Sequence, residues 1–168
     1  MDAGISEISS DLFAPYISDA CQRFEIDTLS RVSFFLAQMF HETGGLRWMR
    51  ELASGNAYNG RADLGNTEPG DGPKFKGRGG FMITGRTNYH LCSQALFGDD
   101  RLLETPDLLS TPSYAMLSAA WYWNTKDLNA TADADDFLLC TRKINGGVIG
   151  LADREVWLKK VQQSFENT

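Results

Sequence analysis

Residues 34–45 read FFLAQMFHETGG. An apolar run ends there in a histidine and a glutamate, directly before two glycines. The run starts earlier, in LSRVSFFLAQMF over 29–40. There Val32, Phe34, Phe35, Leu36, Ala37, Met39 and Phe40 leave almost no polar face. A helix that is apolar nearly all round belongs at the centre of a domain. Asp27 or Thr28 supplies its amino-terminal cap, and Gly44-Gly45 its left-handed exit. Glu42 therefore lies at the carboxyl end of a core helix. The negative pole of the helix dipole and the apolar surroundings both disfavour a charged carboxylate there. Such a group is costly unless it has a partner or a task.

The rest of the chain supplies helices to surround that one. Phe13, Ile17 and Cys21 recur at four-residue steps within 10–24, which is helical spacing. TNYHLCSQALFG (87–98), SYAMLSAAWYWNT (113–125), DADDFLLCTRKI (133–144) and LADREVWLKKVQQSF (151–165) read as further helices. Asp133 or Asp135 starts the third of these, and Asn145-Gly146-Gly147 follows it. Trp121, Tyr122 and Trp123 read as core. Pro106 and Pro112 punctuate a turn region. Between Ser54 and Gly80 the chain is dense in glycine, a loop length that is usually functional or disordered. KFKGRGG then leads into FMITGR, expected as a short strand or hairpin arm. No repeat or linker is visible. The expected fold is mainly α, with one small β element beside a glycine-rich loop. A single domain is expected.

Composition narrows the function. There are 16 basic and 22 acidic side chains, a formal net charge of −6. Nucleic-acid and anionic-membrane surfaces need clustered Lys and Arg, so neither partner is expected. No apolar run approaches the ~20 residues a membrane helix needs. The first residues, MDAGISEISS, lack the basic and apolar regions of a secretory leader. Cys21, Cys92 and Cys140 are far apart and odd in number, so they are expected as buried free thiols.

Two carboxylates are the leading chemical candidates. Glu51 follows Glu42 beyond the Gly-Gly break, with Arg47 and Arg50 nearby to favour its ionised form. Two carboxyl groups in contrasting environments suit an acid and a base, and glycoside hydrolysis needs such a pair. From the positions alone the commoner outcome is Glu42 paired with an arginine and Glu51 solvated. A zinc-protease HExxH pattern fails because position 45 is Gly45; no metal and no cofactor are expected. The glycine-rich loop carries Tyr58, Asn59, Arg61, Asn66 and Arg78, rings and polar groups of the kind that bind sugars. It equally suits a solvated loop rich in turn residues. Asn145 reads equally as a helix cap, and Arg154 as an exposed helix residue.

AQMFHETGG, YNGRADLGNTEPGDGPKFKGRGGFMITGRTNY, TRKINGG and LADRE occur in one order. Together they resemble glycoside hydrolase family 19, the lysozyme-like chitinases, and especially its short bacteriophage endolysin branch. The likeness runs from about residue 11 to residue 165. It implies an α-rich, lysozyme-like fold of two helical lobes with a substrate cleft between them, expected as one catalytic domain over residues 1–168 without a separate wall-binding module. It also implies Glu42, in the pair with His41, as general acid and Glu51 as general base. Thr84 falls where the family helps hold the attacking water. His41, Tyr58, Arg61, Arg78, Asn88, Tyr89, Asn145 and Arg154 are carried over as substrate-binding positions. Met82 stands where the family often has a sugar-contacting Gln, which puts that subsite in doubt.

The resemblance further implies a muralytic glycosidase acting on peptidoglycan glycan strands by an inverting mechanism. A monomer is expected, made in a host bacterial cytoplasm, released by a separate holin-type protein and acting at the cell wall. A chitinase, a lytic transglycosylase and a catalytically silent glycan-binding module remain the alternatives.

Overall fold

The computed structural model describes residues 7–167. Residues 1–6, the start of the stretch that lacks the features of a secretory leader, lie outside them. Nine helices occur among the described residues: α1 (Glu7–Arg23), α2 (Leu29–Thr43), α3 (Asp71–Lys74), α4 (Arg86–Phe97), α5 (Arg101–Glu104), α6 (Pro112–Thr125), α7 (Leu128–Asp133), α8 (Phe137–Asn145) and α9 (Leu151–Glu166). Short 3-10 turns at Asn56–Tyr58, Ala62–Leu64 and Pro106–Ser110 join them.

The apolar run of α2 sits where its composition puts it. Phe34, Phe35, Ala37, Gln38, Met39 and Phe40 are all buried. Thr28 caps the helix by accepting from the Arg31 amide at 3.2 Å. Gly44 ends it at φ 58°, a left-handed conformation that favours glycine. The Phe35 ring meets Phe81 and Trp123 edge-on, with centroids 5.7 and 5.5 Å apart. Phe34 meets Phe137 at 4.9 Å and Phe40 meets Trp157 at 5.5 Å. Thus α8 and α9 are keyed to α2 by one aromatic contact each.

The buried apolar side chains form two clusters. The larger gathers around α2; the smaller contains Phe75, Ile83, Tyr89, Cys92, Leu96, Leu102, Leu109 and Trp121. They correspond to the two expected lobes. α6 belongs to both: Ala115, Met116, Ala119, Ala120 and Trp123 face the first, and Trp121 the second. Its nearly continuous apolar surface is the sequence requirement for such a bridging position. The three cysteines are buried and free. Burial pushes each thiol up to about 12, so the reactive thiolate is suppressed.

Two expectations need correction. DADDFLLCTRKI is not one helix. α7 ends at Asp133, Asp135 turns left-handed at φ 55°, and Asp136 caps α8 by accepting from the Leu139 amide at 2.8 Å. FMITGR forms no strand among the described residues. Arg78 and Ile83 exchange both backbone bonds, at 3.1 and 2.8 Å, but the pairing stops at isolated bridges. The amides of Gly79 and Gly80 go instead to Met49 and Ala115. That segment threads against α6 and α2. A Cβ at Gly80 would lie 2.9 Å from Ala119 Cβ and 3.1 Å from Met39 Sδ, so only glycine fits.

A buried ion pair fixes the glycine-rich loop to α4. Asp71 is 1% exposed. It accepts from Arg86 Nε and Nη2 at 2.8 and 2.5 Å and from the Glu68 amide at 3.1 Å. Arg86 holds the Asp71 carboxyl below the usual carboxylate range. With the native value depressed, this stabilisation is fully present above the unfolded-state value of about 3.9 and is lost as pH falls through the native one. Asp71→Asn is expected to lower unfolding stability at pH 7 by about 2 kcal/mol. Urea titrations at descending pH should show the gap from wild type closing below about pH 4.

Candidate active site

Glu42 projects from the last turn of α2 with its side chain 22% exposed. Arg154, on the first turn of α9, donates Nη2 to Glu42 Oε1 at 2.5 Å. Arg154 is itself 1% exposed. Its Nη1 donates to Gln38 Oε1 at 2.6 Å and its Nε to the Ile149 carbonyl at 3.4 Å. The apolar, dipole-disfavoured setting expected for Glu42 thus contains a buried cation one bond away. Across the same region Tyr122 of α6 lies close enough that the Glu42 charge, after burial, pushes its phenol up.

His41 lies one residue before, its Nδ1 2.6 Å from Asp153 Oδ2. The adjacent residues His41-Glu42 and Asp153-Arg154 are therefore paired side by side, one pair outside and one inside. Gly150, at φ 74°, lets α9 start against this histidine: a Cβ there would fall 2.4 Å from His41 Cε1.

Glu51 is held differently. Its Oε1 accepts from the Tyr58 hydroxyl at 3.1 Å and its Oε2 from the Gly77 amide at 3.1 Å. Its own amide donates to the Gly77 carbonyl at 2.9 Å. The neighbouring arginines do not reach it. Arg47 stacks on Trp48, and Arg50 lies 3.9 Å from Asp107. The cationic support expected from those two is absent; neutral donors replace it. Met82 flanks this carboxylate, since the Cβ position of Gly77 lies 3.3 Å from both Glu51 Oε2 and Met82 Cβ. Met82 is left-handed at φ 49°, and Thr84 folds its hydroxyl back to donate to the Met82 carbonyl at 2.8 Å. That leaves the Thr84 oxygen free to accept.

Other expected positions divide between rim and interior. Arg61 and Asn88 are exposed. Arg61 forks onto Asp63 at 2.7 and 2.6 Å, and Asn88 donates to the Thr84 carbonyl at 2.7 Å. Asn145 is exposed at the end of α8 and reaches Ile149 O at 3.4 Å. Three positions are corrected outright. Tyr89 is 0% exposed, with its hydroxyl donating to the Lys76 carbonyl and accepting from Arg78, so it presents nothing to a ligand. Arg78, 6% exposed, spends its guanidinium on Asp107, Lys74 O, Lys76 O and Tyr89. Arg154 is no surface contact either; its role is to hold Glu42. Asn59 and Asn66 brace the loop through the Gly72 amide, Tyr58 O and the Arg86 amide.

Gln38 was missed. Its signal was legible, as the single amide inside FFLAQMF, four residues before Glu42. A separate cavity of ≈ 900 Å³, lined by Ile17, Cys21, Val32, Leu36, Phe40 and Val161 among others, contains neither carboxylate.

Residues 25–140 match the family model for class I chitinases of glycoside hydrolase type 19. The chain belongs to glycoside hydrolase family 19. It is 34% identical over 104 residues to a family 19 domain-containing protein of Haemophilus influenzae, covering 62% of this chain and 49% of that one. It is 38% identical over 106 residues to endochitinase 1 of Theobroma cacao, covering 56% and 32%. The chain therefore spans half or less of the length of these curated relatives. A crystal structure of a bacterial family 19 chitinase superposes with a TM-score of 0.74 at 24% identity, covering 95% of this chain and 93% of that one. Chitinase C from Streptomyces griseus superposes with a TM-score of 0.72 at 23% identity, covering 99% and 77%. The lysozyme-like, mainly α fold expected from the sequence is the fold of these structures.

Removing the cation should expose how much Glu42 depends on it. Arg154→Met is expected to cost about 3 kcal/mol of stability, because a half-buried carboxylate loses its partner. A shift of the urea midpoint at unchanged slope is the measurement. Gly150→Ala should cost about 1–2 kcal/mol by the same assay, through the left-handed backbone and the displaced His41 ring.

Proposed function

We propose that this chain is an endolysin-type glycosidase that hydrolyses β-1,4 bonds of bacterial peptidoglycan with inversion. The observation that carries the reading is the contrast between two carboxylates: Glu42 is clamped by a buried guanidinium, while Glu51 is held only by neutral donors. Family membership supplies the reaction class.

In this reading Glu42 donates a proton to the glycosidic oxygen. Arg154 occupies Oε1 alone, leaving Oε2 for the leaving group. A sugar ring laid over the site displaces water, and a charged carboxylate loses most by that. Glu51 takes a proton from a water on the opposite ring face. The Tyr58 hydroxyl and the Gly77 amide aim the carboxylate, and the Thr84 oxygen accepts a hydrogen bond from the water's other O–H, whose proton stays on the new product hydroxyl. A single displacement inverts the anomeric carbon, which requires carboxyl groups roughly 6.5–9.5 Å apart. His41, Arg61, Asn88 and Asn145 stand as glycan contacts.

The proposal places synthesis in a host bacterial cytoplasm, a monomeric enzyme, and passage to the wall through a separate holin-type protein. The second reading is a chitinase of the same mechanism. It is favoured by the relatives' own names, which include endochitinases of cacao and cotton. Chitin and the murein glycan share their linkage, so the two readings part only on substrate.

Digestion of purified murein and of chitin oligomers, with mass and anomer analysis of products, tests these readings together. The expected result is murein fragments carrying one added water and an inverted anomer. Products lighter by one water would mean a 1,6-anhydro ring and a lytic transglycosylase. Glu42→Gln should reduce turnover by at least about 10³-fold with the fold intact, and Glu51→Gln by about 10²–10⁴-fold with partial recovery in azide. Lysis by Glu42→Gln at the wild-type level would point to a silent glycan-binding module.

A further inference from the structure

The carboxylate clamp extends beyond Arg154. Gln38 is 0% exposed, as is Thr141. Gln38 Oε1 accepts from Arg154 Nη1 at 2.6 Å, and Gln38 Nε2 donates to Thr141 Oγ1 at 2.9 Å. Thr141 Oγ1 in turn donates to the Phe137 carbonyl at 3.0 Å. Every donor and acceptor in this line has one possible sense. A guanidinium only donates, so the oxygen of the Gln38 amide must face it. The amide nitrogen then faces Thr141, whose proton is directed to Phe137. The line runs from the backbone of α8, through α2 and α9, and returns to α2 at Glu42.

We propose that Gln38, locked by Thr141, is a positioning residue that fixes the rotation of the Arg154 guanidinium and thereby sets when Glu42 gives up its proton. This rests on the reading of Glu42 as the acid. Gln38 and Glu42 are one helical turn apart on a rigid core helix, so the two side-chain acceptors of Arg154 are referenced to the same backbone, while its Nε reaches the Ile149 carbonyl at the longer 3.4 Å. A planar guanidinium whose second amino group is gripped by Gln38 cannot swing to follow Glu42 or to leave it. The pairing strength at Glu42 is then a fixed quantity rather than an average over orientations. The charged and titratable groups around the pair are few. Arg154 comes from α9, with Asp153 beside it held on His41. Tyr122 faces Glu42 from α6, and Cys140 of α8 faces Arg154 and Gln38. None of the others takes the Nη1 position.

Four variants test this with kcat, KM and the pH profile on whichever soluble glycan oligomer the wild type cleaves. Gln38→Met keeps the volume and removes both bonds. Thr141→Val removes only the lock, without touching Arg154 or Glu42. Each is expected to lower kcat by about tenfold with KM within about twofold, the pattern of a lost transition-state contribution. Thr141→Ser retains the hydroxyl and should stay within about twofold of wild type. Gln38→Glu places a second carboxylate on the guanidinium, which favours the proton on Glu42. Its alkaline limb should move up by roughly one pH unit. Thermal unfolding is recorded for all four; if Gln38→Met fails to fold, Thr141→Val against Thr141→Ser decides. Wild-type kcat in Thr141→Val, or an unmoved alkaline limb in Gln38→Glu, overturns the inference while Glu42→Gln stays inactive. An active Glu42→Gln removes the acid assignment and the inference with it.

Discussion

A guanidinium almost wholly removed from water is the constraint on which this architecture turns. Arg154 cannot lose its charge, so burying it demands acceptors on every side. The chain provides an amide from α2, a backbone carbonyl from the α8–α9 connection and the carboxylate of Glu42. Three elements distant in sequence must therefore meet at one point, and they must meet in register. The aromatic contacts of Phe34 with Phe137 and of Phe40 with Trp157 bring α8 and α9 onto α2. The polar line then selects one alignment among those that hydrophobic packing alone would tolerate.

The Glu51 side is built on the opposite plan. No buried ion holds that carboxylate. A backbone amide, a phenol and a one-residue bridge do so, within a segment whose glycines let it run flush against α6. Its rigidity comes from close approach of main chain to helix, and from the Asp71–Arg86 pair that ties the loop to α4. One carboxylate is governed by a fixed charge and the other by fixed dipoles.

Much of this was legible in the residues. The all-apolar face of 29–40, the glycine stop and the bridging composition of 113–125 specified the central helices directly, because those signals are local. The ordered motifs located both carboxylates. What escaped reading was non-local. Nothing in ADRE says that its arginine turns inward; that follows from where α9 docks. Tyr89 and Arg78 resembled ligand groups by type and position, yet the tertiary arrangement gave both a structural partner. The FMITGR segment had strand-forming residues, but its preceding glycines find better acceptors on neighbouring elements. Asp135 broke a helix at a left-handed residue, where three aspartates within four positions gave no means of choosing the break.

The sharing of α6 between both hydrophobic clusters limits how the molecule can deform. Lobes that hinge freely are joined by a strip that neither of them needs for its interior. Here the joint is itself interior to both, and parting them would open a void along Trp121 and Trp123. Breathing between the halves is thus stiff, and adaptation to bulkier or branched polymers falls to side chains at the rim and to the length of the exposed connections. Divergence among relatives of such a molecule should be concentrated in those connections, with the spine left alone.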